Sequence, residues 1–459
     1  MIQTESSTAE PTPGNAVPRP GPVPKTKSQL AAAARPAFKA VAHELCESVR
    51  CELGLPEIRA FRPGKSLSEL AVWFESAPKL ESAQGALIVA VGPQELVASM
   101  DNVLAYALAW QGPRILSIIC SESQAARITP KVPWIDRDIT VFATDGDRQP
   151  KYIPTLSRGQ TIETAASASR PVRSLDDHLL GIHEGAVASL TASLDGNLDL
   201  ARADRSSYRA WCCAGQRVLV MRRSTDAICI TAGVDFKGAI PPGEQQARVF
   251  EVSSHIPLTS SDEHDLENRV EHAIKRRLSD DGSYLEHRMQ ASLAKEGLEA
   301  ELGMVAFKRE YPAWRGEDGS GLLDFLGLDR NNHLHVIETK ANPNDVAIVL
   351  QALDYGVWVM ANQVEIRKDL GWESPDEDGC VVLDFVCAPG VKKDKSGRFA
   401  PDGMAIGPYM VSQLEALSPT FEWRISLVED PLAHPCRPSE PVSRKLMDNP
   451  RLVARQIRG

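Results

Sequence analysis

No apolar run in this chain is long enough to cross a membrane, so an integral membrane protein is not expected. There is no pair of CxxC units, and the nine cysteines (Cys46, Cys51, Cys120, Cys212, Cys213, Cys229, Cys380, Cys387 and Cys436) are odd in number. That excludes a fully paired disulfide framework and argues against a cysteine zinc ribbon, and it fits a reducing compartment. The opening stretch MIQTESSTAEPTPGNAVPRPGPVPK lacks the charged-then-apolar order of a secretory signal, so a cytoplasmic location is expected. An excess of positive charge is also missing. The net charge of -10 excludes a broadly basic nucleic-acid coat, though not a local basic groove. Neither GxSxG nor HExxH occurs. Gly64-Lys65-Ser66 is half of a phosphate-binding loop, but Arg59 stands where the full motif needs glycine. A turn followed by a helix cap is the simpler reading there. The strand-to-helix turn AVGPQE lacks GxGxxG.

What is present is an ordinary globular composition, 43% hydrophobic and 24% charged, spread over 459 residues. That length exceeds a single core and predicts two or three domains. Residues 1–27 hold six prolines and few apolar clusters, which predicts a disordered arm. An Ala-rich helix is expected from about residue 28, broken or started by Pro36 and stopped by Gly54. Then comes an α/β rhythm. ALIVAV (86–91), RILSIIC (114–120) and DITVFAT (138–144) read as buried strands, with a helix over 94–110. Continuous apolar strands predict a small parallel sheet. QRVLVMRRSTDAICITAGVDF (216–236) reads as a hairpin turning near Ser224-Thr225-Asp226. Residues 28–250 are read as a separate N-terminal α/β domain.

The pattern changes from about residue 260. Two amphipathic helices are followed by strand, tight turn, strand, loop and helix. A strand (380–389), a short helix (408–418) and an alternating strand (421–428) complete a unit over 260–430. Residues 431–459 form a basic tail. Its final stretch from Cys436 holds six Arg or Lys against two acids, and a solvated end is the simplest reading.

Within this unit GLLDFLGLDRNNHLHVIETK carries three charges on an otherwise apolar two-strand pattern. A hairpin centred near Asn331 sets Leu328 opposite Leu334, Leu326 opposite Val336, and Asp324 opposite Glu338. Asp324, Glu338 and Lys340 then share the far end of one face. Two neighbouring carboxylates repel unless a hard divalent cation lies between them, which predicts Mg2+ or Mn2+. The Thr339 side chain is expected to face away, leaving its backbone carbonyl as a third protein ligand. A metal so held activates water and stabilises charge on an attacked phosphodiester, and Lys340 is placed to assist. His333 and His335, on the opposite strand face, read as surface residues near the turn.

Asp324 followed by Glu338-Thr339-Lys340 resembles the PD-(D/E)xK nuclease superfamily. Gln351 and Tyr355, four apart on the next helix, resemble the QxxxY element of its RecB-like and NucS-like branches. Glu286, in YLEHRMQASL, resembles the first-motif glutamate, with Glu296, Glu299 and Glu301 as alternatives. Leu323 stands where the family often has proline. The resemblance covers roughly residues 265–430. It implies a restriction-endonuclease-like core, a mixed sheet flanked by helices. It also implies a metal-dependent endonuclease or exonuclease acting on nucleic acid, DNA first, in repair or in defence against foreign DNA. Asp324, Glu338, Lys340, Glu286, Gln351 and Tyr355 would form its site. Double-strand cutting would favour a homodimer. The alternative is an inactive nuclease-fold module that binds nucleic acid or assembles a complex.

Overall fold

The computed structural model describes residues 27–443 except 56–57, 64–70, 77–84, 113, 145–148, 169–187, 198–199, 205–207, 225–226, 237–239, 241, 254–255, 280–284, 315–319, 342–345, 373–378, 394, 396–398, 432–436 and 440–441. The proline-rich arm through residue 26, Gly64-Lys65-Ser66, Cys436 and the tail beyond 443 lie outside the described residues.

The Ala-rich segment forms helix α1 (Lys27–Glu52), a single element that spans Pro36. It closes at Gly54, whose φ of 63° lets the Leu55 N–H donate back to the Arg50 carbonyl at 2.9 Å. Strands β1 (Ile58–Pro63), β2 (Ala71–Ser76) and β3 (Ala86–Val91) follow, then helix α2 (Met100–Gln111) and β4 (Ile115–Cys120). Helix α3 (Glu122–Ile128), β5 (Ile139–Ala143), β6 (Lys151–Ile153) and helix α4 (Arg158–Ser167) complete the first layer. Ser121 with Gln124 and Ser157 with Gln160 form capping boxes that start α3 and α4. The expected parallel sheet is the centre of a wider mixed one. β3, β4 and β5 run parallel, while β1, β2 and β6 add antiparallel edges. Ala71–Ser76 is strand, where helix was expected.

Next come helix α5 (Ala188–Asp195) and five strands: β7 (Leu200–Asp204), β8 (Tyr208–Cys213), β9 (Gln216–Arg223), β10 (Ile228–Ala232) and β11 (Arg248–Val252). They form an antiparallel meander with its own core. Trp211, Leu219, Met221, Ile230 and Phe250 pack there on Leu266, Val270 and Ala273 of helix α6 (Ser260–Ser279).

Helix α7 (Leu285–Ser292) passes through a π turn (Leu293–Gly297) into Leu298–Ala300. Strands β12 (Met304–Trp314), β13 (Ser320–Asp329) and β14 (Leu334–Lys340) precede helix α8 (Ile348–Leu370) and β15 (Val381–Cys387). A small ribbon, β16 (Gly390–Lys393) with β17 (Phe399–Asp402), leads to helix α9 (Pro408–Ala416), β18 (Glu422–Leu427) and β19 (Val442–Ser443). The sheet order is β12-β13-β14-β15-β18-β19. β14, β15 and β18 are parallel, and every other pair is antiparallel. The fold is therefore α/β, with mixed sheets flanked by helices.

One apolar core joins the first and third sheets. Leu104 and Leu108 of α2 share it with Leu353 and Trp358 of α8, Leu326, Val336 and Leu383. On the other side of the third sheet, Leu285 and Met289 of α7 pack on Phe325, Ile337 and Val386. Each fully buried side chain of this size contributes about 1.5–3 kcal/mol relative to exposure. β13 and β14 are thus held between α7 and α8, which fixes the hairpin end where the charges lie. No helix among the described residues is long and apolar enough to cross a membrane.

Candidate active site

The hairpin turn is built by Asp329. Its Oδ1 accepts from the N–H groups of Asn331 (2.9 Å) and His333 (2.8 Å), and Asn332 takes φ 63°. Phe325 pairs with Ile337, Leu326 with Val336, and Leu328 with Leu334. This pairing, continued by one residue, sets Asp324 across from Glu338, but the ladder stops at Phe325–Ile337.

The two carboxylates do not share a face as expected. Leu323 and Leu326 both lie in the core beneath α8, a spacing of three that strict alternation forbids. The strand therefore turns between them, opposite Glu310 of β12, which has a φ of 51°. Asp324 rotates toward Thr339. Its Oδ2 accepts from the Thr339 N–H at 2.8 Å and from Thr339 Oγ1 at 2.7 Å. The Asp324 carboxylate thereby replaces the missing ladder bond. The Thr339 side chain points away from Glu338, and it is Asp324 that has turned to its side. Thr339 is fully buried, and its Oγ1 also accepts from Gln290 Nε2 at 2.9 Å.

Glu338 is buried and points toward α8, where Gln351 Nε2 lies 3.4 Å from its Oε2. One turn along α8, Tyr355 is buried against β13. A Cβ at Gly321 would stand 2.3 Å from the Tyr355 hydroxyl, so only glycine permits this approach. Lys340 Nζ lies 3.1 Å from Glu286 Oε1 on α7. Glu299 and Glu301 are exposed farther along that helix. Asp324, Glu338, Lys340, Glu286 and Gln351 thus collect at the end of the hairpin remote from its turn.

Three neighbours escaped the sequence reading. Gln290, four residues after Glu286, is buried and bridges Thr339 to Arg309, whose Nη2 donates to Gln290 Oε1 at 3.1 Å. The i, i+4 spacing from Glu286 was the available signal. His287 lies within electrostatic range of Asp324, Lys340, Arg309 and Glu310. Its pKa falls below the ordinary value, first through burial and next through the Arg309 charge, which keeps the imidazole neutral. The Asp324 carboxyl is pushed upward by burial, which outweighs the Thr339 hydrogen bonds and the nearby Lys340 and Arg309 charges.

Among the described residues, one group of three His, Cys, Asp or Glu ligand atoms lies within 4.8 Å: Asp329, His333 and His335. Asp324, Glu338 and Glu286 do not close to that spacing. His335 is not a surface residue. It is 1% exposed, and its Nδ1 donates to Asp384 Oδ2, 2.7 Å away. Its burial follows from β15 and β18, which bring Asp384 and Arg424 alongside.

No protein-family model matches the chain, and no curated protein matches it.

Proposed function

We propose that the chain is a metal-dependent nuclease that hydrolyses phosphodiester bonds of nucleic acid, DNA in the first instance, on a restriction-endonuclease-like core. The observation that carries this reading is the convergence of Asp324, Glu338 and Lys340 at one hairpin end, with Gln351 on Glu338 and Glu286 on Lys340. Asp324 and Glu338 offer carboxylate oxygens of the kind a hard divalent cation takes, but from opposite faces of the hairpin end, so holding one ion together requires Asp324 to turn away from Thr339. Thr339 directs its N–H toward β13, and backbone alternation turns its carbonyl to the same side as a third oxygen. A bound Mg2+ or Mn2+ would supply an activated water and offset charge on the attacked phosphate.

The protein groups have separate roles. Gln351 orients the Glu338 carboxylate, and Thr339 orients that of Asp324. Lys340 faces the site as a cation, to position the water or neutralise developing charge, with Glu286 restraining its ammonium. His287, kept neutral, lies within electrostatic range of both Asp324 and Lys340.

The route for a polyanion lies next to this site. A groove of about 1290 Å³, including its open mouth, runs from β9 and β10 to His287 and Glu310. Arg217, Arg222 and Arg277 line it, against the acids Asp235 and Glu310. Arg217 and Arg222 stack on the Tyr208 ring at 4.8 and 5.5 Å from its centroid. Arginine beside a half-buried aromatic suits phosphate contact, on a chain whose net charge is negative.

The test is cleavage of labelled single- and double-stranded DNA and RNA with Mg2+ or Mn2+ and with EDTA. Wild type should cut only with metal. Lys340→Met should cut at least about 100-fold more slowly, with an unchanged circular dichroism spectrum. A wild type that cuts no nucleic acid with either metal would overturn the reading and leave a binding module.

A further inference from the structure

The hairpin carries a second cluster at its opposite end, beside the turn. Asp329 Oδ2 lies 3.4 Å from His333 Nδ1 and 3.4 Å from His335 Nε2. Neighbouring ligands held about 2.0–2.1 Å from a tetrahedral ion stand about 3.3–3.4 Å apart, so this spacing is the one such an ion requires. We propose that Asp329, His333 and His335 form a binding site for a divalent transition-metal ion of the zinc class, distinct from the carboxylate site at Asp324 and Glu338.

The orientation of each ligand supports this. The two turn N–H groups occupy Asp329 Oδ1, which leaves Oδ2 facing the imidazoles. His335 is almost fully buried, and its Nε2 has no hydrogen-bond partner among the described residues. Unprotonated, a buried ring nitrogen in that position needs a proton donor or a metal; protonated, it needs an acceptor. Its other nitrogen, Nδ1, meets Asp384 Oδ2 at 2.7 Å. With Nδ1 as donor, Nε2 carries the lone pair, on the side of the ring that lies 3.4 Å from Asp329 Oδ2. A carboxylate behind a histidine in this way fixes its tautomer and strengthens it as a ligand.

The competing explanation is a protonated His335 bridging Asp384 and Asp329. A charge-assisted N–H···O⁻ bond closes to about 2.7–2.9 Å, as the Asp384 side does. The Asp329 side stays at 3.4 Å, longer than that bond and equal to the spacing of two ligands on a shared ion. Arg424 sets its Nη2 3.0 Å from His335 Nδ1, but it is clamped on Asp384 by bonds of 2.5 and 2.7 Å. Among the charged groups that contact His335, two carboxylates stand against one guanidinium. The frame is also stiff. Arg367, in the last turn of α8, donates to the Asn332 side chain (2.6 Å) and carbonyl (2.7 Å), so the turn is held before any ion arrives. Two nitrogens and one oxygen favour zinc or cobalt over magnesium.

The experiment is calorimetric titration of untagged, EDTA-stripped full-length protein with Zn2+, paired with the visible absorption of the Co2+ form. Wild type should bind one ion per chain with micromolar or tighter affinity, and Co2+ should give the intense bands of a four-coordinate ion. His333→Ala and Asp329→Asn alter the more accessible ligands. Each should weaken Zn2+ binding at least tenfold while the circular dichroism spectrum is kept. Asp324→Asn, at the other end of the hairpin, should leave Zn2+ binding unchanged, so this result does not depend on the nuclease reading. A wild type that binds no Zn2+, or variants at 333 and 329 that bind it as wild type does, would overturn the proposal.

Discussion

Replacing Asp324 separates a structural duty from a chemical one. Asp324 Oδ2 accepts two hydrogen bonds from Thr339, a residue with no solvent exposure. Asp324→Ala removes that acceptor. Thr339 Oγ1 keeps its contact with Gln290, but the buried N–H is orphaned at a cost of about 1–3 kcal/mol. Asp324→Asn keeps a carbonyl oxygen that can accept both bonds. It also removes a carboxylate whose pKa burial has raised. The sign follows from linkage. A raised folded pKa means that the native state holds the proton more tightly than the unfolded chain. Stability is therefore lost as pH rises from the ordinary carboxylate range through the folded value, and the whole penalty is present above that value. Asparagine carries no such penalty. In EDTA at pH 7, Asp324→Asn should be at least as stable as wild type, and Asp324→Ala less stable by about 1–3 kcal/mol. Thermal melts resolve this, at about 2–4 °C per kcal/mol for a domain of this size. Mn2+ should reverse the order, since an ion at a hundred times its Kd adds about 2.7 kcal/mol to wild type and none to the asparagine variant. Equal destabilisation by both substitutions would refute the hydrogen-bond argument. Equal stabilisation of wild type and Asp324→Asn by Mn2+ would refute Asp324 as a ligand.

Other perturbations reach the supports of the site. Gly215, at φ 78°, docks the β8–β9 turn on α7, where an added Cβ would stand 2.0 Å from the His287 carbonyl oxygen. Gly215→Ala should cost more than about 1 kcal/mol in urea unfolding, and should weaken nucleic-acid binding if the Arg217 and Arg222 groove is the track. Asp354 Oδ1 is held by Lys131 Nζ at 2.8 Å in a buried network with Arg127 and Asp101. Asp354→Ala should destabilise by about 3–5 kcal/mol, measured by denaturant unfolding, because two buried cations lose one of their two anions.

What the sequence made legible follows from the range of the forces involved. The strands at 86–91, 115–120 and 139–143 are continuous apolar runs, and the 216–236 hairpin has an evident turn. β12 was hidden because Lys308, Arg309 and Glu310 interrupt it and most of it is only half-buried. The register of the Asp324 hairpin was readable because its apolar pairs specify it. The rotation of Asp324 was not, since it depends on a left-handed backbone at Glu310, a residue type that gives no warning of one. His335 was misread for a related reason. Proximity to the turn suggests solvent, whereas Asp384 and Arg424 reach it only after pairing between strands remote in sequence. Gln351 and Tyr355 needed no long-range knowledge, because their spacing alone places them on one helical face.

The quartet of Asp101, Arg127, Lys131 and Asp354 bears on what the first layer contributes. Two acids and two bases buried at 12% exposure or less carry a large desolvation cost. Apolar residues of similar volume would join the same surfaces with less cost. The network instead restricts how they join, because Arg127 and Lys131 satisfy both carboxylates only when α2, α3 and α8 meet in one geometry. Asp354 directly precedes Tyr355 and follows Gln351 by three residues on α8. The helix that presents Gln351 to Glu338 is therefore positioned partly from the first sheet's side. Trp134 strengthens the tie through Phe421, with ring centroids 5.2 Å apart. Deleting the first layer would uncover Leu353 and Trp358 and strip Asp354 of both cations. Loss of activity on truncation would then report a collapsed α8, not a lost recognition domain. Point changes on exposed surfaces of the first layer are the informative way to assign its role.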